Sequence, residues 1–538
     1  MTDVELGAMM TAALAAAPAS EPMNISVRAL TTSARLPRAL TSVPTTKPAC
    51  TAIVSHATWP AGMAKSRTSD GVTAVAENHR VMARNCASET TPSMAHGDDI
   101  IEGNVQIPYT KRTLSNGLDV IVHEDHQLPM VAVNLWYHVG SKNERPGRTG
   151  FAHLFEHLMF EGSEHHNHGY FPPMQRAGGL INGSTSTDRT NYWEVVPTGS
   201  LELALWMESD RMGYLLPALT EDKFTNQREV VLNERRQNYE NRPYGMAGMA
   251  LSAAMFAPDH PYHWPTIGAP ADLLAASLDD VHAFFKTYYH PANASLVLAG
   301  DLETARGFDL AEQFFGDLKR GPVPDLVRAE ASLSANANLV LEDRVELPRL
   351  YLAWHSPAMF ADDDAELETI ADVLAHGKTS RLYKLLVYER RIATDVSAYQ
   401  QSRELGGMFQ MSCTAAAGVS LAELEAAIRA AVTEVATGGP TAAEMARALA
   451  QTEAQFLYRL QTVGGFGGKS DQLNAYNTYL DDPGYFDRDR QRYINLTADA
   501  AAAAAQRWLQ DAPLVSLSVV PKGRRDLALA GATEVHVS

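Results

Sequence analysis

EDHQLPMVAVNLWYHVGS, residues 124–141, is a run of strand formers entered through Pro129. EDRVELPRLYLAWHSP, residues 342–357, repeats that order around Pro348, 219 residues later, and a helical stretch follows each copy. The same order met twice at one spacing indicates an internal duplication of a strand-plus-helix unit. Working outward, Asn116-Gly117 sits between two alternating β-rich runs ahead of the first copy, which signals a hairpin. After the first copy come a strand, TNYWEVVP, a helix, LELALWMESDRMGYLL, and a second helix from about Glu221 to Asn238. From Lys319 the stretch KRGPVPDLVRAEASLSANANL breaks the pattern as a linker, and the second copy then begins.

The two copies differ in chemistry. HLFEHLMFEG, residues 153–162, follows the first, whereas GKTSRLYKLLVYERR stands in its place after the second and has no histidine. On a helix His153, Glu156 and His157 occupy positions i, i+3 and i+4 and share one face. Two such imidazoles can bind one metal ion, with the glutamate beside it to take a proton from bound water; this is the inverted zinc motif. Alone, the five residues are equally compatible with a partly exposed helix carrying two incidental imidazoles. A catalytic zinc site needs a third protein ligand and an open position.

The spacing His153-x-x-Glu156-His157, then 76 residues, then Glu234 resembles the pitrilysin/insulinase family of zinc metallopeptidases, nearest to its processing-peptidase-like branch. The resemblance runs from about residue 105 to the C-terminus and includes GGLINGSTSTDRTNYWEVVP and SRLYKLLVYER. It implies one Zn2+ per subunit held by His153, His157 and Glu234, with Glu156 as general base for a zinc-activated water. It also implies an α+β fold of two homologous sheet-plus-helices domains facing each other across a chamber. The expected organisation is a disordered or targeting extension over 1–98, a catalytic zinc-binding domain over 99–320, and a homologous non-catalytic domain over 338–538. The glycine-rich stretch around Gly178, Gly179 and Gly183 suits an edge strand against which an extended peptide pairs through its main chain. Family members place residues matching Asn182 and Gly183 along that substrate strand; the alternative is a glycine loop that only makes tight turns.

Two departures from the family qualify this. Many relatives carry a glutamate seven residues before the third ligand, where Gln227 stands here. Self-sufficient relatives also carry an arginine and a tyrosine in the non-catalytic half, and these positions align with Val387 and Thr394. Neither side chain replaces such donors to a developing oxyanion. The expectation is therefore a heterodimer, in which a homologous subunit supplies the Arg and Tyr, or else a homodimer. The expected activity is an endopeptidase acting on unfolded or extended peptides. The alternative is a structural or peptide-binding subunit that kept the fold.

Composition bounds the other classes. The net charge of −18 disfavours nucleic acid, which wants a basic face. Residues 1–97 carry eight Lys and Arg against six Asp and Glu, so the remainder carries −20. No apolar run is long enough to span a bilayer, so no transmembrane segment is expected, and no compartment is assigned. Cys50, Cys86 and Cys413 lack the spacing of a thiolate zinc site. VGGFGGKS, residues 463–470, has Val463 where a phosphate loop needs glycine, and it lies between helical segments. His165, His166 and His168 are read as part of a solvated loop.

Overall fold

A computed structural model describes residues 105–537 of the chain, so the expected extension, with Cys50 and Cys86, lies outside the described residues. Two six-stranded sheets organise the rest. The first contains β1 (Thr110–Thr113), β2 (Asp119–Glu124), β3 (Met130–Tyr137), β4 (Leu180–Thr185), β5 (Thr190–Pro197) and β6 (Ala294–Gly300), in the order β1-β2-β6-β3-β5-β4. The second contains β7 (Ala337–Asp343), β8 (Arg349–Ser356), β9 (Ala393–Gln401), β10 (Gly407–Ala415), β11 (Leu514–Pro521) and β12 (Thr533–Glu534), in the order β12-β7-β11-β8-β10-β9.

The duplication is visible in the pairing. β2 and β6 are parallel, as are β7 and β11, while the three pairs running out to β4 and to β9 are antiparallel. β3 and β8 begin at Met130 and Arg349, the spacing of the sequence echo. The expected hairpin forms β1 and β2, with Gly117 at φ +91° and Asn116 donating to the Phe315 carbonyl at 2.7 Å. One equivalence is corrected. Between β8 and β9 the first helix is Asp364–Ala375, so this segment, and not GKTSRLYKLLVYERR, occupies the place of the histidine helix. The latter forms a later helical turn, Tyr383–Glu389, because more chain precedes the helix in the first copy than in the second.

Five helices matter for the site: α1 (Phe151–Leu158), α2 (Leu201–Ala218), α3 (Glu221–Arg235), α4 (Ala247–Met255) and α5 (Lys469–Leu480). Both faces of β3 are buried, which is why it reads as a nearly continuous apolar run. Val131, Val133, Leu135 and Tyr137 enter the core shared with α1 and α2. The opposite face is covered by α5, from the second copy: Asp471 accepts from Trp136 Nε1 at 3.1 Å and from Asn134 and Asn191 at 3.3 Å. Reciprocally, Ala250, Leu251 and Met255 of α4 pack with Val515, Leu517 and Val519 of β11. Each sheet is thus completed by a helix from the other copy.

Candidate functional site

The amphipathic pattern of α1 decides which way its histidines face. Phe151, Leu154, Phe155 and Leu158 are buried in the core, and Phe155 stacks on Phe284, Phe285 and Tyr289. The opposite stripe carries His153 and His157, whose side chains keep 13% and 17% of their surface accessible, enough for a ligand to reach them. The start of the helix is fixed by Glu144, whose carboxylate accepts from the amides of Gly150 (2.9 Å) and Ala152 (2.8 Å). These are orphan donors of a first turn, satisfied by the oxygens of a buried acid whose carboxyl burial pushes up to about 8. Gly150, at φ +88°, lies so close to Gly268 that a Cβ would come within 2.9 Å of its Cα. The Gly268 carbonyl accepts from Arg235 at the end of α3, at 2.7 Å. One glycine therefore registers both helices.

That registration brings the third residue in. Glu234 Oε2 on α3 lies 3.6 Å from His153 Nε2 and 3.5 Å from His157 Nε2. Ligands on a tetrahedral zinc at about 2.0–2.1 Å stand roughly 3.3 Å apart, so the donor set fits such an ion. Among the described residues this trio is the group of histidine and carboxylate side chains placed to hold a metal. The other Glu234 oxygen accepts from Asn238 at 3.3 Å, which leaves Oε2 turned to the imidazoles. Burial disfavours charge on all three residues, yet their mutual contacts answer it unequally. His157 is raised, because its bond to Glu234 and the Glu156 charge outweigh desolvation. His153 is lowered, since desolvation and the neighbouring His157 prevail over the two carboxylates. Burial would raise Glu234, but the His157 bond and the two imidazoles lower it.

Glu156 lies one turn along α1, buried, and accepts from Thr185 Oγ1 at 2.7 Å. Thr185 ends β4, which among the described residues pairs with β5 alone and sits at the edge of its sheet. Gly183 is on the α1 side of that strand, where a Cβ would meet Phe160 Cζ and Tyr192 Cδ1 at 3.1 Å. Asn182, one residue earlier, falls on the opposite face beside its cross-strand partner Trp193, and its side-chain oxygen takes the Gly183 amide at 2.8 Å. Asn182 is therefore not brought onto the face that carries the three candidate ligands. The loop read as a near-miss phosphate site lies on that far face, where Phe466 meets Trp193 edge-on at 5.4 Å.

Sequence reasoning missed Thr185, Asn238 and Glu144: Thr185 lies 29 residues from Glu156, and a lone Asn one turn past Glu234 or a lone Glu six residues before the helix start matches no motif. His165 instead bonds Asp210 at 2.5 Å. Val387 packs on the second core, and Thr394 bonds Asp395 at 3.2 Å.

Comparison with known proteins places most of the described chain in one family. The family model described as Insulinase (Peptidase family M16) matches residues 119–263, and Peptidase M16 inactive domain matches 275–452. The chain is 29% identical over 419 residues to the zinc protease PqqE of Helicobacter pylori, covering 76% of this chain and 92% of that protein. It is 23% identical to the uncharacterized zinc protease YmxG of Bacillus subtilis, covering 69% and 90%. A crystal structure of a protease from H. pylori superposes with a TM-score of 0.71 at 27% identity, over 78% of this chain and all of that one. The M16 inactive domain from Pseudomonas fluorescens has the same fold, with a TM-score of 0.69 at 20% identity over 77% of this chain and 98% of that one. The fold and the site define a two-domain M16-type protein. The chain belongs to the insulinase family, peptidase family M16. Among the described residues no helix is long and apolar enough to cross a membrane.

Proposed function

We propose that the chain is a zinc-dependent endopeptidase of extended or unfolded peptides, and the zinc-bearing subunit of a heterodimer. The observation that carries this is the convergence of His153, His157 and Glu234, with ligand atoms all within 4.8 Å of one another, next to a buried glutamate on the same helix. Zinc held there would supply a Lewis acid that acidifies water and polarises a peptide carbonyl. The chain's own residues do the rest. Glu156 accepts the proton of the attacking water and returns it to the leaving amine, held in position by the Thr185 hydroxyl. The free edge of β4 pairs with substrate main chain, which binds extended peptides without strong sequence choice. Val387 and Thr394 offer no donor comparable to Arg and Tyr, which supports a homologous partner subunit supplying them.

The test is hydrolysis of a quenched, unstructured peptide by the zinc-loaded chain, with and without a homologous subunit carrying that pair, beside Glu156→Gln. Turnover only with the partner, lost in Glu156→Gln while zinc stays bound, is the expected result. Turnover by the chain alone overturns the partner reading. Its persistence in Glu156→Gln overturns the role of Glu156.

A further inference from the structure

Arg235 follows Glu234 directly, so the two side chains leave α3 about 100° apart around its axis. Glu234 turns to the two imidazoles, while the Arg235 side chain turns into the protein and is only 1% exposed. Its Nη1 donates to the Gly268 carbonyl at 2.7 Å and its Nε to Glu240 Oε1 at 3.0 Å. A guanidinium holds its donors in one plane at fixed angles, so two such bonds fix its place and, with it, the last turn of α3. The segment that takes Arg235 also meets the start of α1. Gly268 has φ +79°, and a Cβ there would come within 2.4 Å of Gly150 Cα, backbone against backbone. Thr149, buried beside it, donates to Asp272 Oδ2 through its amide at 3.0 Å and its hydroxyl at 2.7 Å. The same hydroxyl accepts from the Ala269 amide at 2.9 Å. His153 stands three residues past Gly150, as Glu234 stands next to Arg235. Residues 268–272 are thus bonded to both helix ends from which the candidate ligands project.

We infer that residues 268–272 form a bracket that sets the reach of Glu234 to His153 and His157, with Arg235 and Thr149 as the positioning residues that fasten it to α3 and α1. Metal–ligand distances tolerate errors of only about 0.2 Å, so a small displacement of one helix end takes Glu234 out of range while the fold stays in place. This inference rests on the zinc reading above.

The test is zinc affinity of the full chain, by competition with a chromophoric chelator, at a temperature well below the lowest apo melting midpoint among the variants. Arg235→Met keeps the stem and removes the donors. It is expected to weaken zinc roughly tenfold, within the 10–100-fold range of losses from residues behind a ligand. Arg235→Lys can still reach the Gly268 carbonyl with one donor and should recover to within a few-fold of the parent. The deciding measurement repeats Arg235→Met in a Glu234→Ala background. A residue acting through Glu234 adds nothing once Glu234 is gone, so the double variant should bind zinc as Glu234→Ala does. A merely structural loss lowers affinity by the same factor in both backgrounds and overturns the bracket. Parent-like affinity in Arg235→Met, or a Lys variant no better than Met, overturns it too. Glu234→Ala alone separates this from the zinc reading: parent affinity there means that Glu234 is no ligand, whereas lost affinity beside a parent-like Arg235→Met means that only the bracket falls. Should Arg235→Met fail to fold, Thr149→Val, which cuts the tie to α1, decides by the same two criteria: a few-fold loss that vanishes in the Glu234→Ala background supports the bracket, and parent-like affinity or an equal loss in both backgrounds overturns it.

Discussion

The Thr185 hydroxyl donates to Glu156 at 2.7 Å, so the last residue of the open edge strand holds the proposed base on the facing helix. Thr185→Val keeps the shape and removes the donor. A lost hydrogen bond to a charged group is worth about 1.5–3 kcal/mol, so kcat should fall at least about tenfold with zinc affinity unchanged. Thr185→Ser should retain most activity. Steady-state kinetics beside a zinc assay check this; a Val variant with full kcat would show that Glu156 is held by other contacts.

At Gly183 the strand runs close against Phe160 and Tyr192. Valine there would push into Phe160 and Tyr192, so β4 must shift, at a cost of about 1–3 kcal/mol for overpacking. KM for extended peptides should rise, because an edge out of register pairs poorly with substrate, while bound zinc is unaffected. A melting curve and KM measured together test it, and unchanged KM would remove β4 from substrate binding.

Beneath that strand Arg211 is buried with Glu208, whose Oε2 accepts at 2.9 Å, and with Glu194 at 3.4 Å, its guanidinium 4.0 Å and 4.2 Å from the ring centroids of Tyr170 and Tyr192. Burial and the Glu208 charge push the Glu194 carboxyl well up, while Arg211 opposes them. Arg211→Met leaves a buried acid unpaired. A loss of roughly 3–5 kcal/mol is expected by denaturant titration, larger than for the double variant Arg211→Met/Glu208→Gln.

A pH signature follows from the contact between the two copies. Glu404, in the turn between β9 and β10, meets Lys142 and also His138, at 2.8 Å. Burial alone would raise its carboxyl, but the His138 bond and the charges of His138 and Lys142 outweigh it and hold it at about 2. A carboxyl depressed on folding stabilises above its unfolded value of about 4.3, and that contribution is lost as pH falls toward 2. Glu404→Gln should therefore melt lower at pH 7, losing on the order of 3 kcal/mol, and converge on the parent as pH falls to about 2. A constant difference across that range would contradict the assignment.

Much of this protein was legible in one dimension because its signals are local. The Asn116-Gly117 turn, the strand runs of β3 and β5, and the i, i+3, i+4 stripe of α1 follow from backbone preference and side-chain periodicity. The duplication was also visible, since two copies keep one order at one spacing. Glu234 was found only through the long spacing that a family resemblance supplied; nothing near it announces a ligand.

What needed tertiary structure is everything that two distant segments decide together. The sequence could note that Gln227 lacks a charge, but not that its amide donates to Glu161, 66 residues earlier. It could reject a phosphate loop at 463–470, but not place that loop and Asp471 on the far face of the first sheet. Thr185 acquires its role only when β4 packs against α1. The sequence by itself determined the elements, the repeat and the His–Glu–His stripe of α1, because these depend on neighbours along the chain. Which acceptor each buried donor finds, and so how the site is oriented, depends on neighbours in space, and only packing selects those.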